Sequence, residues 1–212
     1  MKIITPSYKI LTPDSYFFEY EKLIEQAGRV CYKSEDKITE TSAAAFCKKI
    51  ENLGHHSVLE HSLATVKFIC DRGVSHELVR HRLASYSQES TRYCNYSKDK
   101  FDKHITFIEP SFLHRATPSF IEWEVAMQGA EMSYFTLLKE GLTPQEARCI
   151  LPNSLKTEIV VAANFREWIH IFTMRCSKKA HPQMRELMVP LCHDFATLLP
   201  SIFASIAQRI ER

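Results

Sequence analysis

Apolar side chains recur at helical intervals between residues 15 and 33, SYFFEYEKLIEQAGRVCYK, where Phe18, Leu23, Ile24 and Ala27 set the period of a first helix. Thr41 or Ser42 is placed to cap a second helix, AAAFCKKIENL, which stops at Gly54. The run LATVKFIC, residues 63–70, is rich in β-formers and predicts a strand ending at Gly73. VSHELVRHRLAS follows, with Ser75 as N-cap of a helix that the chain leaves near Ser85. HITFIEP predicts a second strand, and a long helix is expected from about Pro118 to Glu140. Pro144 starts a short helix that ends before Pro152. SLKTEIVVAAN predicts a third strand, running directly into FREWIHIFTMRC, whose 3.6-residue period is clear. Helices over about 183–198 and 200–210 complete the pattern. Strands scattered among helices predict an α+β fold: a small central antiparallel or mixed sheet with several helices packed on it, in a single-domain subunit covering 1–212.

Composition narrows the class. The 212 residues hold 45% hydrophobic side chains, enough for an ordinary core. The 27 basic and 25 acidic residues leave a net charge of +2, so bulk charge gives no case for nucleic acid or a membrane surface. Any anion site must be a local cluster. The seven cysteines are scattered and form no C-x-x-C pair, and no signal-peptide pattern is present, which together predict a cytoplasmic location. No apolar run reaches the roughly 20 residues that cross a bilayer.

Three clusters carry candidate chemistry. VRHRLASYSQESTRY, Val79 to Tyr93, sets Arg80, His81 and Arg82 together, followed by hydroxyls, amides and Arg92. On the predicted helix His76 shares a face with Arg80, and Glu77 with His81. A solvated helix face is one reading. The other is an anion or nucleotide site, because Leu78, Val79, Leu83 and Ala84 predict partial burial, and buried arginines need partners. GHHSVLEHS, residues 54–62, offers His55, His56, Glu60 and His61, but it lacks the H-E-x-x-H spacing of a zinc helix. Capping of a helix end, or polar contacts to a ring-bearing ligand, are the other readings. In NFREWIHIFTMR, residues 164–175, Arg166 and His170 lie one turn apart. Trp168 and Phe172 are expected in the core, and Arg175 suits the helix dipole as well as a ligand.

Taken together, four motifs in order resemble the flavin-dependent thymidylate synthases. Arg80-His81-Arg82, seven residues and then Ser90 is similar to their R-H-R-x7-S signature. GHHSVLEH is similar to G-H-x-[ST]-x-x-E-H, ARCILP to A-R-x-x-L-P, and NFREWIHIFTMR to N-x-R-x7-L-R. The resemblance covers nearly the whole chain. It implies conversion of dUMP to dTMP, with 5,10-methylenetetrahydrofolate as carbon donor, FAD as hydride carrier and NADPH as reductant. It also implies a homotetramer with active sites shared between subunits, and no Rossmann turn for the flavin.

Position by position, the resemblance implies FAD contacts at His55, Ser57, Glu60, Arg80, His81, Arg82, Asn164, Arg166 and His170. It implies dUMP contacts at Glu77, Arg80, Ser87, Gln88, Glu89, Ser90, Thr91, Arg92, Arg148 and Arg175. Ser90 is read as a ligand contact, since an unactivated hydroxyl is a poor nucleophile. Arg175 is the expected catalytic group, a permanently charged guanidinium that can hold the uracil anion. No metal is implied. Two rival readings remain: a non-catalytic nucleotide- or RNA-binding protein, and a metal-dependent hydrolase built on the 54–61 histidines.

Overall fold

A computed structural model describes residues 1–210. The chain runs β1 (Lys2–Ile4), β2 (Ser7–Ile10), α1 (Asp14–Val30), α2 (Ser42–Asn52), β3 (Ala64–Asp71), α3 (Arg72–Leu78), β4 (Ala84–Gln88), β5 (Thr106–Ile108), α4 (Pro118–Lys139), α5 (Pro144–Ala147), β6 (Lys156–Ala163), α6 (Phe165–Arg175), α7 (Pro182–Leu198) and α8 (Pro200–Ile210). Short 3-10 turns include His56–His61 and Arg148–Ile150. Strands β1 and β5 pair in parallel, Lys2 opposite Thr106 and Ile4 opposite Ile108, and four further strands form a sheet in the order β2-β3-β6-β4. This is the expected α+β class, small sheets with several packed helices.

The fold divides into two compact units interleaved along the sequence. The first takes Met1–Ser7, Phe68–Arg80 and Tyr86–Val160; the second takes Tyr8–Lys67, His81–Ser85 and the chain from Val161 onward. In the first, a core of Tyr96, Ile105, Phe107, Met127, Tyr134, Ala147 and Leu155 lies among β5, α4 and α5. Glu131 fixes the start of the chain there, pairing with the N-terminal ammonium at 2.8 Å and accepting from the Ile105 N–H at 2.7 Å.

The second unit is helical and aromatic. Phe17 of α1, Phe165, Trp168 and Phe172 of α6, Phe195 of α7 and Phe203 of α8 are fully buried. Their rings meet at centroid distances such as 5.5 Å for Phe17–Phe195 and 5.3 Å for Trp168–Phe195, in edge-on and tilted geometries that rings favour. The α1 face differs from the sequence reading. Phe18 and Leu23 are exposed, whereas Phe17 and Ile24 are buried together with two carboxylates, Glu21 and Glu25. Those acids are satisfied: Arg29 donates to Glu25 Oε1 through Nε (3.1 Å) and Nη2 (2.7 Å), Ser42 Oγ donates to Glu25 Oε2 (2.7 Å), and Ser201 Oγ donates to Glu21. A buried acid so paired fixes how α1 meets α2 and α8.

The predicted helix over 75–85 is shorter and earlier. Asp71, not Ser75, caps it, its Oδ1 accepting the Val74 N–H at 2.8 Å, so Gly73 lies within α3 rather than ending β3. The helix stops at Leu78, whose carbonyl accepts the Tyr86 hydroxyl at 2.7 Å. Arg80 to Arg82 therefore occupy a connection, and Ala84–Gln88, where the predicted helix was to end near Ser85, is strand β4 with alternating exposure. The face-sharing of His76 with Arg80 and of Glu77 with His81 falls with the helix.

Phe195 touches four of the other rings in the second unit. Phe195→Ala is expected to destabilise the protein by roughly 3–5 kcal/mol, read as a lower urea midpoint at unchanged slope.

Candidate active site

Two groups of polar residues, one in each unit, contain the positions singled out by sequence. In the second unit the chain leaves α2 through Gly54, whose φ of +71° is in the left-handed region that glycine adopts without penalty. The 3-10 turn His56–His61 is anchored by Leu59, which is fully buried. Ser62 Oγ donates to the Leu59 carbonyl at 2.6 Å and accepts the Phe165 N–H at 3.0 Å, tying the turn to the start of α6. The Trp168 indole N–H donates to the Ala64 carbonyl at 3.0 Å. With that anchoring, His55, Ser57 and Glu60 are exposed, and Glu60 pairs with Arg166 at 2.5 Å. His56 Nε2 is buried without a hydrogen-bond partner.

Asn164 caps α6, its Oδ1 accepting the Glu167 N–H at 2.8 Å, so its amide nitrogen is the group outside the cap. Trp168 and Phe172 are core, as expected. Their burial turns Arg166 and His170 to the exposed side.

His81 is the buried member of the Arg80-His81-Arg82 trio; both arginines are exposed, the reverse of the burial predicted for them. Arg175 Nε donates to His81 Nε2 at 3.0 Å, and Glu167 Oε1 stands 3.4 Å from His81 Nδ1. The His170 ring meets the His81 ring edge-on, centroids 5.4 Å apart. Burial, reinforced by the Arg175 and His170 charges, lowers the His81 pKa from 6.5 to about 4, so the ring is neutral at physiological pH. Burial raises the Glu167 carboxyl above its ordinary value, with His170 opposing.

Among the described residues, ligand-type atoms of His81, Glu167 and His170 lie within 4.8 Å of one another, the spacing of a metal triad. The Arg175 guanidinium stands at His81 Nε2 and the Glu167 carboxylate beside Nδ1, so each ring nitrogen faces a side-chain partner. Glu167 was not singled out by sequence. An acid in the first turn of a helix reads as a partner of the helix dipole, and only the fold brings it to His81.

In the first unit, the β4 strand and the turn after it carry the second group. Ser87 is exposed, whereas Gln88 Nε2 donates to Ser75 Oγ at 2.9 Å and to Thr157 Oγ1 at 3.2 Å. Glu89 pairs with Lys156 at 3.0 Å and accepts the Tyr96 hydroxyl at 3.3 Å. Burial opposes the charge on Lys156, but its bonds to Glu158 and Glu89 prevail and raise its pKa. The side chains of Gln88 and Glu89 are thus engaged inside this unit. Ser90 shapes a turn, its carbonyl accepting the Tyr93 and Cys94 N–H groups and its Oγ accepting the Arg92 N–H at 3.3 Å. Arg148, exposed on its 3-10 turn, donates to the buried Thr91 Oγ1 at 3.1 Å. Arg92, also exposed, lies over the Tyr93 ring at 5.6 Å. Arg80, Arg92 and Arg148 are therefore exposed cations of the first unit, and Glu77, three residues before Arg80, is half-buried.

The family described as Thymidylate synthase complementing protein matches residues 15–201. The flavin-dependent thymidylate synthase of Geobacter sulfurreducens is 36% identical over 199 residues, covering 91% of this chain and 82% of its own. That of Pyrococcus abyssi is 34% identical over 165 residues, covering 77% and 67%. The chain belongs to the flavin-dependent thymidylate synthases, a family of methyltransferases. Solved structures carry the fold match: a UMP/dUMP methylase, PolB, from Streptomyces cacaoi bound with 5-Br dUMP (TM-score 0.78, 19% identity, 98% of this chain and 97% of that one), and Thymidylate Synthase X from Helicobacter pylori with FAD and dUMP (TM-score 0.73, 20% identity, 95% and 99%).

The lowered His81 pKa gives a signed prediction for this synthase-family chain. Between about pH 6.5 and 4 the unfolded chain binds a proton at residue 81 that the native chain does not, so this contribution to stability is complete above pH 6.5 and is lost as pH falls toward 4. Urea unfolding of wild type is expected to weaken with acidification by up to roughly 1.4 kcal/mol per pH unit more steeply than that of His81→Gln in this window. Parallel slopes would contradict the assignment.

Proposed function

We propose that the chain is a flavin-dependent thymidylate synthase that methylates dUMP reductively to dTMP, with 5,10-methylenetetrahydrofolate as carbon donor, FAD as hydride carrier and NADPH as reductant. Family membership supports the reaction class. The observation that carries the assignment of roles is Arg175, half-buried at the end of α6 with its Nε bonded to a neutral histidine.

The residues of the second unit fit a flavin dinucleotide. Arg82 and Arg166 offer cations for a pyrophosphate, and Ser57, Asn164, His55 and His170 offer hydroxyl, amide and imidazole groups for ribityl and ring edges. FAD, when bound, supplies the hydride chemistry. Glu60 holds Arg166 at 2.5 Å and so limits its rotamers.

The first unit supplies a complementary set for the nucleotide. Arg80, Arg92 and Arg148 provide exposed guanidinium groups, Ser87 and Ser90 provide hydroxyls, and Thr91 orients Arg148. Gln88 and Glu89 fit the same reading as supports: Gln88 braces β4 on Ser75 and Thr157, and Glu89 holds Lys156. Glu77 is read as a contact to the base.

Arg175 is the catalytic candidate. Uracil C5 must act as the nucleophile, and its electron density rises when N3 gives up its proton. A guanidinium, charged at any working pH, stabilises the negative charge shared by N3 and the adjacent carbonyl oxygen.

The proposal extends to the assembly. We read 1–212 as one functional domain, since neither unit is a continuous stretch and the family match over 15–201 runs through both. A homotetramer with shared active sites and a cytoplasmic location complete the reading; among the described residues no helix is long and apolar enough to cross a membrane.

Purified protein supplied with dUMP, methylenetetrahydrofolate, FAD and NADPH is expected to form dTMP; omission of dUMP, methylenetetrahydrofolate or NADPH, or of FAD from protein stripped of its flavin, is expected to stop it. Arg175→Ala is expected to lower turnover by at least roughly 100-fold with folding intact. Wild-type protein, folded and flavin-loaded, that forms no dTMP would overturn the reading.

A further inference from the structure

Arg175 and Glu167 lie on one helix, eight residues and hence about 12 Å apart along its axis. Helical side chains lean toward the N-terminus, so Arg175 reaches back toward Glu167 without closing that distance. The His81 ring enters between them from the connection after α3. Its two nitrogens make the two contacts: Nε2 to Arg175 Nε at 3.0 Å, and Nδ1 facing Glu167 Oε1 at 3.4 Å. His81 and Glu167 are each only 6% exposed.

We propose that Glu167 and His81 are positioning residues for Arg175, with Glu167 holding the His81 ring in the Nδ1–H tautomer that accepts the Arg175 Nε–H.

The chemistry of the donors dictates the tautomer. Every guanidinium nitrogen is a donor, so His81 Nε2 must present its lone pair. In a neutral imidazole the proton then sits on Nδ1, the nitrogen that faces the carboxylate. At 3.4 Å the Glu167 contact is long for a hydrogen bond, but it is a close charge–dipole contact inside a buried site, where such terms are strong. The opposite tautomer would set an N–H against an N–H at Arg175 and a lone pair against a carboxylate at Glu167. His170 closes the ring from a third side. The His81 bond is made by Nε, so the relay constrains the azimuth of the guanidinium plane through that edge. The role given to Arg175 rests on the synthase reading above; the relay itself does not.

The test combines a spectroscopic readout with kinetics, on the full-length FAD-loaded protein. Histidine 15N NMR, with the residue 81 signal assigned by its loss in His81→Gln, is expected to show Nδ1 protonated and Nε2 bare at pH 7. Protonation is expected only well below pH 6. Glu167→Ala is expected to mix the tautomers and to lower kcat roughly 10–100-fold while KM for dUMP changes less than about threefold. Glu167→Gln keeps an acceptor oxygen and is expected to recover most of that loss. An Nε2–H tautomer, titration near the ordinary histidine value, or unchanged tautomer and kcat in Glu167→Ala would overturn the relay. If Glu167→Ala fails to fold, the wild-type tautomer and the Glu167→Gln kinetics still decide. Wild-type protein with the expected tautomer but no dTMP formation supports the relay and rejects the synthase reading; dTMP formation with the wrong tautomer does the opposite.

Discussion

Aromatic packing beneath α6 fixes the groups above it. Phe165, Trp168 and Phe172 occupy the buried side of that helix against Phe17, Phe195 and Phe203, and a helix with one stripe so committed has little freedom to rotate. The azimuths of Arg166, Glu167 and His170 follow, as does the starting direction of Arg175. The start of the helix is held twice: Asn164 caps the first turn, and the Ser62 hydroxyl takes the Phe165 N–H. The polar chemistry of the second unit is thereby carried by a rigid element rather than by a loop.

Charge is distributed in an unexpected way around the Arg80-His81-Arg82 trio. The arginines are exposed and the histidine is buried, so the group hidden from water is the one that can lose its charge. A buried arginine in that place would need a permanent counter-ion; a neutral imidazole needs only a donor and an acceptor, which Glu167 and Arg175 supply. In the first unit Lys156 is paired with Glu89 and Glu158, while Arg80, Arg92 and Arg148 are exposed. In the proposed enzyme these cations meet phosphorylated ligands.

Much of this was legible in the sequence. The long amphipathic helices, the Asn164–Arg175 segment and the strands at 64–71 and 156–163 have strong periods and clear punctuation. Helix α3 was misplaced because its cap, Asp71, sits at the end of a strand, and because VRHRLAS continues a helical pattern that the Tyr86 hydroxyl terminates from a distance. On α1, Phe17 and Phe18 are adjacent aromatics, and composition alone does not say which faces the core. The partners of Glu89, Gln88 and His81 lie up to dozens of residues away, on Lys156, Thr157 and Arg175, and local spacing carries no record of them. Glu167 was invisible for the same reason.

The proposed enzyme presents both a flavin site and a nucleotide site. The most direct test is the visible absorption spectrum of the purified protein after incubation with FAD and desalting, taken before and after dUMP is added. A retained flavin spectrum that shifts with dUMP is expected. A folded protein that retains no flavin and shows no shift would contradict it, returning the arginines to a non-catalytic binding role.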